Sequence, residues 1–394
     1  MRILSIETSC DETAISILEA TGTQKSPAFT ILSSVVHTQA PLHAEWQGVV
    51  PNLAKREHSR NLVPILIQAL REAGLFKIRE EKNENNKLRT KISKMLEREN
   101  ELGPLFLESI LNIAAPNIDT IAVTYGPGLE PALWTGINFA KALGLLWNKP
   151  IIPINHMEGH ILSVLVPEGK IGVKTKTKLA LPAIALLISG GHTELVLIKD
   201  WLKYKVIGHT RDDAVGEAFD KVARILGMPY PGGPHISKLA AEFSGTKKIT
   251  FPRPMIHSED LDFSFSGLKT SVLYFVKKLS ELTDNLKKEI AHEFEESVVD
   301  VLISKTKKAL DLNPDVKTLI IGGGVIANKK IRAAMHEIIA TNFRKTKLLV
   351  PHSELATDNA TMIAIAGYFR FLDQKSKNKK PSKNFKASGN LVLK

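Results

Sequence analysis

The sequence lacks three features that mark whole classes of protein. It has one cysteine, Cys10, in 394 residues, which excludes an internal disulfide and favours a reducing compartment. It has no uncharged apolar run of about 18 residues or more, the length that a membrane-spanning helix requires. Its opening segment, MRILSIETSCDET, lacks the apolar core of a signal peptide. We therefore expect a cytoplasmic protein that does not enter the membrane.

Aromatic residues are also scarce, at 6%, but 43% of the chain is hydrophobic and 24% is charged. This composition is typical of a globular protein. A chain of this length exceeds what one hydrophobic core usually organises. We therefore expect two domains.

Positive charge exceeds negative charge by 12, and the excess is concentrated in two places. The first is the C-terminal tail, in which Asp373 is the only acidic residue. Its basic residues are Arg370, Lys375, Lys377, Lys379, Lys380, Lys383, Lys386 and Lys394. The second is a loop with Lys170, Lys174, Lys176 and Lys178. Basic loops and tails contact the phosphate backbone of nucleic acids, but a solubilising role explains them equally well.

Hydrophobic runs alternate with amphipathic segments, which indicates an α/β fold. Two β-hairpins are predicted, one from Ile3–Ile6 and Ala14–Leu18 and one from Ile184–Ser189 and Thr193–Ile198. A charge-dense insert at residues 76–117 interrupts the alternation. It carries Leu88, Ile92 and Leu96 at helical spacing, and a solvated helical extension explains it without a function.

The segment His156-Met157-Glu158-Gly159-His160 carries the clearest chemistry. Histidines four residues apart on a helix face the same way and can hold one metal ion. The pair resembles the HExxH motif of zinc proteases, but the glutamate comes one position later. Glu158 is about 200° around the helix from His156 and therefore faces away from the metal. The spacing therefore lets both histidines bind a metal, but it does not place Glu158 where it could act as the general base for peptide cleavage.

Four glycine-rich turns lie at strand ends, at Gly126–Gly128, Gly190-Gly191, Gly232-Gly233 and Gly322–Gly324. Such turns let backbone N–H groups approach phosphate oxygens closely. Their spacing matches neither a P-loop nor a GxGxxG dinucleotide motif. They predict a nucleotide held by turns from two domains.

Several acidic residues lie near these turns, namely Asp11, Glu12, Asp220 and Asp358. A carboxylate is a common third ligand beside two histidines. Each of these acids also has an ordinary structural explanation, as a hairpin tip or a helix N-cap. The pattern alone does not select the third ligand.

Eight segments occur together in an order that identifies a family: SIETSCDETAISI, YGPGL, INHMEGHI, LLISGGHTEL, GEAFDKVARILG, YPGGP, IIGGGVIAN and ATDNATMIA. The chain resembles the TsaD family of tRNA N6-adenosine threonylcarbamoyltransferases over nearly its whole length. The resemblance implies a two-lobed fold like actin, Hsp70 and the sugar kinases (the ASKHA fold), with RNase H-like cores and an active site in the cleft between lobes. The implied reaction transfers threonylcarbamoyl from threonylcarbamoyl-AMP to N6 of adenosine 37 in tRNAs that read codons beginning with A.

The resemblance also assigns residues. It makes His156, His160 and Asp358 the ligands of one divalent metal, iron or alternatively zinc. It places Asp11 near the reacting centre with Glu12 beside it, and we take Asp11 as the hypothetical proton acceptor. It gives the substrate contacts as Leu187, Ile188, Ser189, Gly190, Gly191, Asp220, Gly233 and Asn328.

The implied organisation has a first lobe at residues 1–150, with the insert at 76–117, completed by a helix at 356–373. The second lobe, at 151–355, would hold the metal and nucleotide site, and 374–394 would be a basic tail. The implied partners are tRNA, ATP- or ADP-like nucleotides, a TsaB-like paralogue and a TsaE-like ATPase. The spelling of the motifs favours a bacterial member, and the helix at Leu53–Ala73 is a candidate dimerisation face.

Three other classes remain open on the residues alone. A sugar or carboxylate kinase would share the glycine turns without needing the histidine pair. A metalloprotease would use the pair but lacks a base on the metal side. A nucleotide-binding scaffold without chemistry would need the turns alone.

Overall fold

The computed structural model describes residues 1–80, 86–166, 170–378 and 384–394. The chain forms two compact units. Unit 1 comprises Met1–Leu42, Val49–Lys178 and His352–Leu393, and unit 2 comprises His43–Gly48, Leu179–Pro351 and Lys394. Among the described residues, every helix is too short or too polar to cross a lipid bilayer.

The regular elements alternate along the chain as the hydrophobic pattern predicts. The strands are β1 (Arg2–Glu7), β2 (Glu12–Thr23), β3 (Ser26–Thr38), β4 (Thr120–Gly126), β5 (Ile151–Asn155), β6 (Lys174–Thr175), β7 (Ala183–Ile188), β8 (Thr193–Asp200), β9 (Lys203–His209), β10 (Thr318–Gly322) and β11 (Lys347–Leu349). The α-helices are α1 (Ala40–Ala44), α2 (Pro51–Glu72), α3 (Asn86–Met95), α4 (Leu102–Leu105), α5 (Glu130–Trp147), α6 (His156–Leu162), α7 (Val215–Ile225), α8 (Gly232–Ala241), α9 (Ser266–Lys277), α10 (Asp284–Asp311), α11 (Lys329–Asn342), α12 (Ser353–Ala356) and α13 (Ala360–Ser376). One π-helical turn (Phe106–Ile110) and two 3-10 turns (Ser163–Leu165 and Gly324–Ala327) complete the secondary structure of the described residues.

Unit 1 contains a six-stranded sheet in the order β5-β4-β1-β2-β3-β6. The first predicted hairpin is confirmed, since β1 pairs antiparallel with β2 and Ile6 lies opposite Ile15. β1 also pairs parallel with β4, which in turn pairs parallel with β5. The ends of these three parallel strands therefore meet at one edge, where Glu7 and Asn155 lie.

The division of the chain corrects the predicted domain boundary at residue 150. β5 is the outer strand of the unit 1 sheet, and α6 follows it without a loop. Hydrogen bonds to β4 hold Ile151–Asn155 in unit 1, and residues 151–178, with both histidines of the motif, belong to that unit. The helix predicted at residues 356–373 does belong to unit 1, where α13 packs against β1, β2 and α6.

The insert at residues 76–117 folds as part of unit 1. Ile92 and Leu96 are buried in its core, and Leu88 packs against the same cluster. The amphipathic spacing therefore marks a packed helix rather than a solvated arm. Residues 81–85 lie outside the described part of the insert.

The predicted tail is partly folded as well. α13 continues to Ser376, and Lys379, Lys380 and Lys383 lie outside the described residues. Beyond them, Phe385 is buried in the unit 1 core cluster. Backbone hydrogen bonds join Ser388 to Tyr125 and Gly128 to Gly389. Ser388 and Gly389 thus pack against the Gly126–Gly128 turn.

Unit 2 contains a five-stranded sheet in the order β11-β10-β7-β8-β9. The second predicted hairpin is confirmed, with Ile188 opposite Thr193 and the turn at residues 189–192. β10 pairs parallel with β7, so that Gly322 lies opposite Leu187. The two glycine-rich turns that follow β7 and β10 are therefore neighbours.

Candidate metal centre

Helix α6 presents the two histidines from a rigid start. Its N-cap is Asn155, the last residue of β5, whose side chain accepts hydrogen bonds from the backbone N–H of Met157 and Glu158. Such a cap fixes the direction in which the first turn points. His156 is 6% exposed and His160 is fully buried. Their Nε2 atoms lie 3.1 Å apart.

Asp358 completes the group from the start of α13. The next residue, Asn359, caps that helix by accepting from Met362 N and donates to the carbonyl of Thr357. Asp358 Oδ1 lies 3.1 Å from His160 Nε2 and 3.3 Å from His156 Nε2. Burial opposes the charge of Asp358, but His156 and hydrogen bonds from both imidazoles hold the pKa of its carboxyl far below the ordinary value.

These three atoms fit a divalent metal ion. Nitrogen and oxygen ligands bind such ions at about 2.0–2.2 Å, which puts neighbouring ligand atoms roughly 3.0–3.4 Å apart. The observed separations are 3.1, 3.1 and 3.3 Å. Nδ1 of buried His160 has no hydrogen-bond partner among the described residues, so Nε2 is the atom through which this imidazole makes its polar contacts. His156, His160 and Asp358 thus form a candidate metal site.

A buried carboxylate behind His156 sets the orientation of its ring. Glu7, at the end of β1, is fully buried and lies 3.0 Å from His156 Nδ1. It also accepts hydrogen bonds of 2.6 Å from Thr124 Oγ1 and from the backbone N–H of Ser9. When Nδ1–H donates to Glu7, the lone pair of Nε2 is directed at the site. Burial opposes ionisation, yet His156 and Thr124 keep the pKa of Glu7 below its ordinary value.

Glu158 faces away from this site, as its position on the helix predicts. Its side chain is 1% exposed and forms an ion pair with Arg370 of α13 at 2.9 Å. A carboxylate held in this way is not available to activate water on the other side of α6. The geometry therefore disfavours a metalloprotease.

Asp11 ends the turn between β1 and β2, and Glu12 is the first residue of β2. His58 of α2 is buried and binds this turn, with Nε2 3.0 Å from the Cys10 carbonyl oxygen and Nδ1 2.8 Å from Thr13 Oγ1. Burial and the charges of Asp11 and Asp358 raise the pKa of Glu12 well above its ordinary value. Glu12 therefore retains its proton to a higher pH than an exposed glutamate.

The predicted substrate contacts form a second group, within unit 2. Leu187 and Ile188 are fully buried in β7, and the Ser189 turn closes through hydrogen bonds with His192. Asp220 of α7 accepts a 2.7 Å hydrogen bond from Gly232 N at the start of α8.

Asn328 joins three helices of unit 2. Its carbonyl oxygen caps α11 by accepting from Lys330 N and Ile331 N. Its amide donates to Ser237 in α8 and to Glu295 in α10, at 2.8 and 2.7 Å. Asn328 is thereby fixed relative to the helix that begins at Gly232-Gly233.

The glycines of these turns divide into two kinds. A Cβ on Gly323 would lie 2.4 Å from the Ile188 carbonyl oxygen, and one on Gly216 would lie 2.7 Å from that of Ser189. The fold itself requires glycine at these positions. A Cβ on Gly190, Gly191 or Gly233 would meet no heavy atom of the described residues within 4 Å. Nothing in the unit explains glycine there, whereas a ligand against the backbone would.

Known proteins resemble this chain over most of its length. The sequence model of TsaD, described as tRNA N6-adenosine threonylcarbamoyltransferase, matches residues 30–78 and 105–365. A protein of that name from Thermosipho melanesiensis is 43% identical over 371 residues, which cover 94% of this chain and 95% of the relative. One from Burkholderia ambifaria is 40% identical over 377 residues, with coverages of 94% and 92%. The chain belongs to the TsaD family.

Family membership confirms the predicted reaction class, a transferase that forms threonylcarbamoyladenosine in tRNA. The fold has its own comparison. Full-length HypF in its phosphate- and nucleotide-bound form is 11% identical, with a TM-score of 0.52 over 94% of this chain and 46% of that one. At that identity the likeness bears on the fold alone. Together with the two α/β units, it confirms the predicted ASKHA class.

Two residues near the candidate metal site were not predicted from the sequence. Glu7 looks like part of a buried strand, and His58 looks like a polar position on an amphipathic helix. A carboxylate as the last residue of a largely buried strand is the local signal that marks Glu7. His58 has no such signal, because its partners at Cys10 and Thr13 are distant in sequence.

Proposed function

We propose that this protein transfers the threonylcarbamoyl group of threonylcarbamoyl-AMP to N6 of adenosine 37 in tRNAs that read codons beginning with A. We further propose that a metal ion on His156, His160 and Asp358 is required. The convergence of three ligand atoms in a member of the TsaD family supports this requirement. No comparable group of histidine, cysteine and carboxylate side chains is found elsewhere in the described residues.

The donor set favours iron over zinc. Two imidazoles and one carboxylate without thiolate form the ligand set of many non-haem Fe(II) sites, which leave positions open for substrate. Zinc accepts the same donors and is the alternative. A bound divalent ion would act as a Lewis acid and fix the pose of the activated intermediate.

In this reaction the departure of the leaving group needs little help from side chains, whereas activation of the nucleophile needs much more. The donor is a mixed anhydride, so AMP leaves readily with the electron pair of the breaking C–O bond. The adenine N6 amine is a poor nucleophile because its lone pair is delocalised into the ring. Positioning N6 against the carbamoyl carbon, and accepting its proton as the C–N bond forms, are the difficult parts.

Asp11 is the proposed proton acceptor. It directly precedes Glu12, whose pKa is raised by burial and by the nearby charges of Asp11 and Asp358. That shared electrostatic environment supports a place for Asp11 close to the metal ligands. His58 and Thr13 would hold the turn in position.

Unit 2 would bind the nucleotide part of the donor. The open space above Gly190, Gly191 and Gly233 supports close approach of the AMP moiety to the backbone. Asp220, which accepts a hydrogen bond from Gly232 N, would also accept one from a ribose hydroxyl. Leu187, Ile188, Ser189 and Asn328 would shape the same pocket, and ATP or ADP would be competing ligands.

We also propose the family's cytoplasmic setting and its partners, a TsaB-like paralogue that docks on α2 and a TsaE-like ATPase. These proposals follow from the resemblance to bacterial members of the family.

The direct experiment supplies threonylcarbamoyl-AMP and unmodified tRNA, and measures AMP release together with modified adenosine. Equal amounts of both products are expected from the wild type. Asp11→Asn should slow transfer by roughly 10²–10⁴-fold, the usual contribution of a general base. Transfer at the wild-type rate in Asp11→Asn would remove its assignment as proton acceptor.

A further inference from the structure

Three exposed lysines lie in and just after an edge strand of the unit 1 sheet. β6 pairs antiparallel with β3, with Thr175 opposite Phe29 and Lys174 opposite Thr30. β6 is the last strand in the sheet order, so its far edge has no strand partner among the described residues. Lys174, Lys176 and Lys178 are exposed, whereas Thr175 between the first two is buried. We call these three residues the lysine row.

The three lysines lie close together in the chain. Lys174 belongs to β6, and Lys176 and Lys178 follow the end of that strand. The lysine row therefore presents three exposed ammonium groups on one short segment, with flexible side chains that can adjust to a ligand.

In the described part of the chain, these ammonium groups have no acidic partner. Among the described residues, no carboxylate lies within ion-pair distance of the three lysines, although many other lysines of the chain have such partners. Lys170 adds a fourth exposed positive charge on the same loop, and Ile171 beside it is 57% exposed. A concentration of unpaired charge of one sign attracts a polyanion.

We propose that the lysine row binds the phosphate backbone of the tRNA substrate. The inference rests on the proposed function for its ligand, since tRNA is the polyanion on which the family acts. Backbone contacts of this kind position an RNA without reading its sequence. They release condensed counterions, so each contact steepens the salt dependence of binding.

Edge lysines have a second established use, which the experiment must separate. A charged edge strand discourages pairing with the sheet of another molecule. That use predicts aggregation when the charges are removed, with no change in RNA binding by the remaining monomer.

The experiment compares two triple variants with the same loss of charge. The test variant is Lys174→Gln/Lys176→Gln/Lys178→Gln. The control is Lys199→Gln/Lys203→Gln/Lys205→Gln, whose lysines lie on β8 and on β9, the edge strand of the unit 2 sheet. Binding of an unmodified tRNA transcript is measured at several salt concentrations between about 50 and 200 mM, the range over which phosphate contacts are resolved.

We expect the test variant to reduce the slope of log K against log salt by about 2–3, or roughly 0.7–0.9 per contact. Its affinity deficit should then shrink roughly tenfold between 50 and 150 mM salt. The control should keep the wild-type slope.

Equal slopes in the test variant and the wild type, or equal reductions in both triple variants, would overturn the proposal. Aggregation of the test variant with an unchanged slope would assign the lysines to edge protection instead. Failure of the wild type to modify tRNA would refute the proposed function, which the same preparation tests separately from the slope.

Discussion

The two groups of site residues are built in opposite ways. In unit 1 the candidate metal ligands are side chains fixed by other buried side chains, with Glu7 behind His156 and Asn359 beside Asp358. In unit 2, by contrast, the turn residues Gly190, Gly191 and Gly233 have no side chain, and open space lies where a Cβ would be. The converging side chains of unit 1 can be recognised without a bound ligand. The reason for an open glycine turn becomes clear only when a ligand occupies it.

This difference decides what each group contributes to stability and to function. Ligands and their hydrogen-bonded supports share one network, so a substitution there should weaken metal binding more when it removes a ligand than when it removes a support. Substitutions at the open glycines should leave the fold unchanged and affect a ligand alone. Substitutions at three kinds of position test this contrast: the metal ligands, the residue that supports a ligand, and the turn glycines. Substitution of a ligand should have the largest effect.

Replacement of a ligand should abolish the metal centre of unit 1. His160→Ala removes one of three donors, and the remaining two hold a divalent ion weakly. We expect metal content to fall from about one ion per chain to near zero, measured by elemental analysis of freshly purified protein. His209→Ala, at an exposed histidine of unit 2, is the matched control. Retention of stoichiometric metal by a folded His160→Ala variant would disprove the ligand assignment.

Replacement of the support should weaken the same centre without removing a ligand. Glu7→Gln keeps the shape of the side chain but withdraws the negative charge beside His156 Nδ1. We expect about 10–100-fold weaker metal binding, the usual effect of such partners, measured by competition with a chelator. Ser9→Ala, which removes only the 3.2 Å contact of Oγ with the same nitrogen, should have a smaller effect. Unchanged affinity in Glu7→Gln would make Glu7 a packing residue.

The smallest effect on stability should come from unit 2. Gly191→Ala adds a methyl group into open space and should change the free energy of unfolding by no more than about 0.5 kcal/mol. It should still weaken binding of AMP several-fold by obstructing the backbone. Gly323→Ala is the contrast, because φ is +92° and the Cβ would meet the Ile188 carbonyl.

Denaturant unfolding and nucleotide titration of these two variants give both quantities. Gly323→Ala should lose about 2 kcal/mol or more. If Gly191→Ala destabilised the protein as much as Gly323→Ala, the distinction between the two kinds of glycine would fail.

Local patterns predicted the parts of the fold that depend on local chemistry. The two hairpins and the histidine pair on α6 follow from alternation and helical spacing. The boundary at residue 150 was wrong because the pairing of β5 with β4 is a long-range contact that no local pattern records. The tail was misjudged for a similar reason, since a single aromatic residue, Phe385, ties its end to the core.

Local patterns likewise predicted only part of the candidate site. Helix geometry explains why His156 and His160 converge and why Glu158 does not. The choice of Asp358 came from the family resemblance, since nothing in residues 356–360 distinguishes a ligand from a helix cap. The carboxylate that orients His156 comes from a strand about 150 residues earlier in the chain, and only the folded sheet brings the two together.

The role of the metal is tested most directly by threonylcarbamoyl transfer in wild type and His156→Ala, with the intermediate and unmodified tRNA supplied and metal content measured in the same samples. We expect modified adenosine from the metal-loaded wild type. We also expect loss of product after chelation, recovery on readdition of Fe²⁺, and no product from a folded, metal-free His156→Ala variant. Undiminished transfer by that variant would contradict the claim that the metal centre of unit 1 serves the reaction.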